Sequence, residues 1–215
     1  MIYALTADAA HHEEEDVYDA VFIEFEGSDG ATFFRPGVDY RQFCGAPKVI
    51  EFVGKLENAA WLDHIFSFPI NVLLISKRMV RVLESVGPFR YRLIPTTIYS
   101  EKIKHLVVDR FTRQRTWYQV TDPSLRNDDF VILQLEEALD CLDRDRTLVD
   151  GVSFRDANLS FLGTEEAQHL ELRTPEGGFP PVFSVPELGF YCFTEEAKQA
   201  CDKAGLKGLW WRPQP

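Results

Sequence analysis

The chain has 215 residues and a formal net charge of −11, with 45% hydrophobic and 27% charged residues. That is enough apolar chain for one sizeable core, and the 17 Phe and four Trp imply a well-filled interior. An acidic surface repels phosphate backbones, so nucleic acid is excluded as the expected partner; a basic protein is favoured, although an acidic surface also simply maintains solubility.

The first residues carry neither a basic run nor a long apolar stretch, so a secretory signal is not expected. The longest apolar run, Phe68 to Ile75, is broken by Asn71 and is too short to cross a bilayer. Cys44, Cys141, Cys192 and Cys201 form no CxxC pair and read as reduced, buried thiols of a cytoplasmic protein.

In chain order, Ile2 to Leu5 reads as a strand, His11 to Asp16 as an acidic loop and Val17 to Phe25 as a second strand with alternating apolar residues. Turns are expected at Gly27–Gly30, Pro36-Gly37 and Gly45–Pro47, with a strand at Val49 to Val53. Phe66-Ser-Phe-Pro69 then leads into Val72–Ile75. Ser76 stands at an N-cap position, and Met79, Val82, Leu83 and Val86 form one helix face. Gly87 is placed for a left-handed helix end; Phe89, Tyr91 and Leu93 alternate as a strand, which Pro95 is expected to close.

The C-terminus repeats this plan. Phe183-Ser-Val-Pro186 leads into Phe190–Phe193, and Thr194 takes the N-cap place. Ala197, Ala200, Cys201 and Ala204 form the helix face, Gly205 takes the helix end, and Pro213 closes a strand through Leu209 and Trp211. The pattern predicts two related strand–helix–strand units, about 66–95 and 183–213, within one compact α+β protein of mixed or antiparallel sheet and few helices. Between them, Lys102 to Val120 is basic and β-rich. Asp122-Pro-Ser is a turn, Leu170 to Arg173 a strand, and Leu135, Ala138, Leu139 and Leu142 predict a helix over 134–144.

Motifs of chemistry are missing. The five histidines form no HExxH or Cys/His ligand spacing, Asp140, Asp143 and Asp145 lack the Gly and distal Glu of an EF-hand loop, and there is no GxSxG, GxxxxGK[ST] or GxGxxG. No catalytic residue, cofactor or metal site is assigned, and a binding protein is expected over an enzyme. A hydrolase built on Cys44 or His64 would need a neighbouring carboxylate in a cleft. The patch Lys102, Lys104, His105, Arg110, Arg113 and Arg115 before Trp117 and Tyr118 could bind single strands, but a strand with one wet face is favoured on a chain this acidic.

Cys192-Phe-Thr-Glu-Glu-Ala197 and Lys203-Ala-Gly-Leu-Lys-Gly-Leu-Trp210, after Phe183-Ser-Val-Pro186, resemble the closing segment of the eleventh immunity-protein family of bacterial polymorphic toxin systems, once catalogued as a domain of unknown function. Phe68-Pro69 through Ser76-Lys-Arg-Met79 to Gly87 is similar to its central Pro-then-Ser helix, and Leu135-Glu-Glu-Ala-Leu-Asp140-Cys-Leu-Asp143 to its Val-Asp-x-x-Asp segment. The likeness covers Trp61 to Trp211 in pieces. It departs at Asn127-Asp-Asp129, ahead of Phe130. The resemblance implies an immunity protein that neutralises a cognate toxin by stoichiometric binding in the cytoplasm during interbacterial competition, the toxin being encoded next to it, with no nucleic acid and no membrane as partner. It carries over no catalytic residue. Glu136, Glu137, Asp140, Asp143 and Asp145 are the candidate toxin-binding surface, although a solvated helix face is the favoured account of them. The alternative function is a small-ligand-binding or regulatory module.

Overall fold

A computed structural model describes residues 1–6, 20–23, 25, 34–42, 45–68, 70, 72–100, 104–106, 117–119, 122–157, 159–163 and 167–215. The chain runs β1 (Ile2–Thr6), β2 (Ala20–Phe22), β3 (Ile50–Gly54), α1 (Leu56–Ala59), β4 (His64–Ile65), β5 (Ser67–Phe68), β6 (Leu74–Ser76), α2 (Lys77–Val86) and β7 (Tyr91–Ser100). It continues through β8 (Lys104–Leu106), β9 (Trp117–Gln119), β10 (Arg126–Asn127), β11 (Phe130–Leu135), β12 (Leu148–Val149), β13 (Val152–Ser153), β14 (Val182–Ser184), β15 (Tyr191–Thr194), α3 (Glu195–Lys203) and β16 (Trp210–Pro213). The fold is α+β, mostly sheet, with both parallel and antiparallel pairs. The expected turns at 27–30, the acidic loop at 11–16, Cys44, and Lys102, Arg110, Arg113 and Arg115 of the basic segment lie outside the described residues.

The larger sheet has the order β4-β6-β11-β7-β3-β2-β5. Its two end strands are separated in the chain by Phe66 alone. Residues 64–65 pair with β6, residues 67–68 pair with β2, and the Phe66 carbonyl accepts from the Ala20 N–H at 3.2 Å. The strand order thus returns to its start and closes around one core. Six of the seven strands contribute described residues: Ala20 and Phe22, Ile50 and Phe52, Ile65, Leu74, Ile94 and Ile98, Phe130 and Ile132 are all buried in it. Phe22 meets Phe34 edge-on at 6.0 Å and Phe52 at 5.9 Å, so rings fill the interior.

The outer face of β6 and β11 belongs to a second core. Ile75, Val131, Leu133 and Leu135 meet Met79, Val80 and Leu83 of α2, and the same core takes Tyr3, Phe193, Ala197 and Cys201 from the C-terminal unit. β11 therefore buries all six of its residues, alternate ones in different cores. This is why the expected helix over 134–144 does not form. Phe130 to Leu135 is a central strand between β6 and β7; Leu142 is buried and Leu139 partly buried in a third core, and the apolar spacing after Leu135 is not a helix face.

Two strand–helix–strand segments share one pairing pattern. β6 and β7 both pair antiparallel with β11, and β15 and β16 both pair antiparallel with β1. In each unit a helix crosses from one strand to the next but one, over a strand taken from elsewhere in the chain. Registers agree: Ser76 faces Phe130 as Thr194 faces Ile2, and Pro95 faces Val131 as Pro213 faces Tyr3. His64 faces Ile75 as Val182 faces Phe193, so 64–95 matches 182–213 without insertion or deletion. Ile65 consequently matches Phe183, and the two Phe-Ser-x-Pro segments are one residue out of register; their likeness is not structural equivalence.

Three further expectations are corrected. Gly87 has φ 171° and ψ 170°, extended rather than left-handed, because Pro88 follows it and a residue before proline is driven out of the helical regions. Pro95 does not close its strand. Pairing with β11 ends at Pro95 and pairing with β3 begins at Thr96, so on the β3 side a missing N–H at 95 breaks no ladder bond. Leu170–Arg173 is not a strand: it makes a single bridge, Leu172 with Leu142, next to one made by His169 with Leu148.

Candidate functional site

The five acidic residues proposed from sequence share no helix face. Glu136 directly follows β11, 3.7 Å from Arg90 and 3.4 Å from Arg92, and Glu137 lies 3.9 Å from Arg90. Asp140 is 3.2 Å from Arg144, and Asp145 is 3.1 Å from Arg155. Asp143 Oδ1 accepts the N–H groups of Asp145 at 3.2 Å and Arg146 at 3.1 Å, fixing a turn. Each carboxylate thus has an internal partner, and the arginines that interleave with them in sequence supply part of it. Exposed pairs of this kind contribute little stability, about 0–1 kcal/mol each, and exchange readily with outside charges.

A sixth carboxylate, missed by sequence reading, joins this group. Glu187 lies in the loop between β14 and β15, is 8% exposed, and its Oε1 accepts from the same Arg144 guanidinium that meets Asp140. No local pattern marks it: Val185-Pro-Glu-Leu reads as a turn, and only the tertiary fold brings it 43 positions along the chain to Arg144. Its loop is pinned in place. The Glu187 carbonyl accepts from the Leu162 N–H at 2.7 Å, and the Gly189 N–H donates to the Leu162 carbonyl at 2.9 Å.

The buried titratable groups elsewhere have structural partners. Asp63, 4% exposed, accepts the Ser76 hydroxyl at 2.6 Å and the Lys207 N–H at 3.0 Å, with Arg78 at 3.4 Å. Ser76 in turn caps α2 by accepting from the Met79 N–H at 3.0 Å. His64, next in sequence, turns away from that carboxylate and donates from Nδ1 to the Gly208 carbonyl at 3.3 Å; burial lowers its pKa to about 4, so the ring is neutral. Cys141 and Cys201 are raised to about 11 and about 12, chiefly by burial, and Cys192 is raised further by the same cause. These thiols are protonated at neutral pH and are poor nucleophiles. The closed-sheet interior, where a ligand-binding module of this architecture would hold its ligand, is occupied by phenylalanine rings.

The arrangement offers charge recognition: an arginine held between an exposed and a buried carboxylate, flanked by exposed acidic residues. Among the described residues no helix is long and apolar enough to cross a membrane. No protein-family model matches the chain. No curated protein matches it.

Proposed function

We propose that this protein is a bacterial immunity protein that binds a cognate toxin in the cytoplasm and neutralises it stoichiometrically. The observation that carries the reading is the formal net charge of −11 on a chain of ordinary hydrophobic content. Such a surface accelerates encounter with a cationic partner and selects against anionic ones. A toxin domain that cuts nucleic acid is cationic along its substrate groove, and a carboxylate-rich protein competes for that groove. The likeness of 61–211 in pieces to an immunity family supports the same reading; two of its three segments lie on the matched segments that share the second core. Among the described residues, Cys141, Cys192 and Cys201 are committed to packing and His64 to one backbone carbonyl, which favours binding over catalysis.

The test is co-expression in a sensitive host. The product of the adjacent gene is expected to arrest growth, and this protein is expected to restore it and to co-purify at equal stoichiometry. Growth arrest by that product without rescue or complex would sink the pairing.

A further inference from the structure

Arg144 is held between two carboxylates that differ in a telling way. Asp140 is 71% exposed along its side chain; Glu187 is 11% exposed, and Arg144 itself 38%. Only Oε1 of Glu187 meets the guanidinium. Its Oε2 is buried with no hydrogen-bond partner among the described residues. A structural ion pair would satisfy both oxygens in a fork, because a guanidinium presents two parallel donors and a buried acceptor without a donor destabilises the fold. Both backbones are held: the Glu187 loop is anchored to Leu162, and the Arg144 carbonyl accepts from the Arg155 N–H at 3.1 Å. The freedom lies in the long Arg144 side chain, which is 38% exposed against 11% for Glu187.

We propose that Asp140 and Glu187 form a receptor for one arginine side chain of a partner protein, with Arg144 occupying it until that partner binds. An incoming alkylguanidinium takes the place of the Arg144 guanidinium on Oε1 of Glu187, Asp140 guides it, and Arg144 swings out. The identity of the partner rests on the toxin-binding reading above; the receptor itself does not.

The full chain, carbon-13 labelled, would be titrated with Nα-acetyl-L-arginine methylamide while the side-chain carboxyl signals of Glu187 and Asp140 are followed by NMR. A saturable shift at both is expected. Arg144→Gln is expected to bind the probe about tenfold more tightly, since the competing internal cation is gone. Asp140→Asn weakens binding and Glu187→Gln abolishes it; if Glu187→Gln does not fold, the exposed Asp140→Asn carries the same comparison. A purely structural Arg144 predicts the opposite: Arg144→Gln lowers Tm and gains no affinity, and that result, or no saturable shift at Glu187 in either protein, overturns the proposal. Failure of toxin rescue leaves the receptor standing, and failure of the titration leaves the rescue standing, so the two ideas fall separately.

Discussion

Asp63 and His64 are adjacent, both buried, and handled by opposite means. The carboxylate is kept by giving it donors, Ser76, the Lys207 N–H and Arg78, whereas the imidazole is kept by denying it a proton. Nothing in the sequence separates them: Asp-His beside an apolar run is compatible with a surface turn, a metal ligand or a catalytic pair, and their burial depends on the 203–208 loop arriving from the far end of the chain. The neutral ring carries a consequence for pH. Burial holds the folded pKa at about 4, below the ordinary 6.5, so the unfolded chain binds the extra proton first. Stability is therefore full above about pH 6.5 and is lost as pH falls toward 4, by roughly 1.4 kcal/mol for each unit of that fall and about 3 kcal/mol in all. Urea unfolding at pH 7 and pH 5 should show the loss, and His64→Gln, which retains a donor for Gly208, should show less of it. Equal losses in the two proteins would mean that another group controls the acid limb.

At the scale of the element, local chemistry was legible and pairing was not. Ser76 and Thr194 cap their helices as their residue type and position require, accepting from the third residue on at 3.0 and 3.3 Å. Both helices then bury the expected face in part, with Val80 joining Met79 and Leu83. The ends differ. Gly205 has φ +64°; its N–H donates to Asp202 at 3.0 Å and the Leu206 N–H to Cys201 at 3.1 Å, a left-handed closure that glycine alone makes without strain. Gly87 is extended, with only Pro181 near the place of a side chain, at 3.7 Å. Gly205→Ala should cost about 1 kcal/mol, while Gly87→Ala should be neutral or stabilise by about 0.5 kcal/mol through the unfolded state. Thermal unfolding of the two variants checks this; equal effects would contradict the two backbone conformations. The 134–144 segment shows the limit of periodicity. Leu135, Leu139 and Leu142 satisfy a helical template, but Leu135 ends a strand whose backbone is fixed by neighbours 56 and 40 residues upstream, through the pairs Ile75–Val131 and Leu93–Leu133.

Within the whole molecule, the segments 64–95 and 182–213 meet through α2, α3 and one core. Phe193, fully buried, lies in that core and meets Trp211 edge-on at 5.2 Å. Phe193→Ala should cost about 3–5 kcal/mol, and far-ultraviolet dichroism and tryptophan fluorescence should still report one transition, because the core it weakens belongs to both units. Two separated transitions would show that the units unfold independently. By itself, the sequence determined the composition class, α2 and α3, their N-caps and the strand that follows each, because capping and amphipathic spacing act within a few residues. Only the tertiary structure decided that β1 and β11 are the strands each unit takes from elsewhere in the chain, that the larger sheet closes on itself, and that Glu187 meets Arg144. Those outcomes depend on which apolar faces can be buried together, and that is a property of distant segments in contact, which no local pattern encodes.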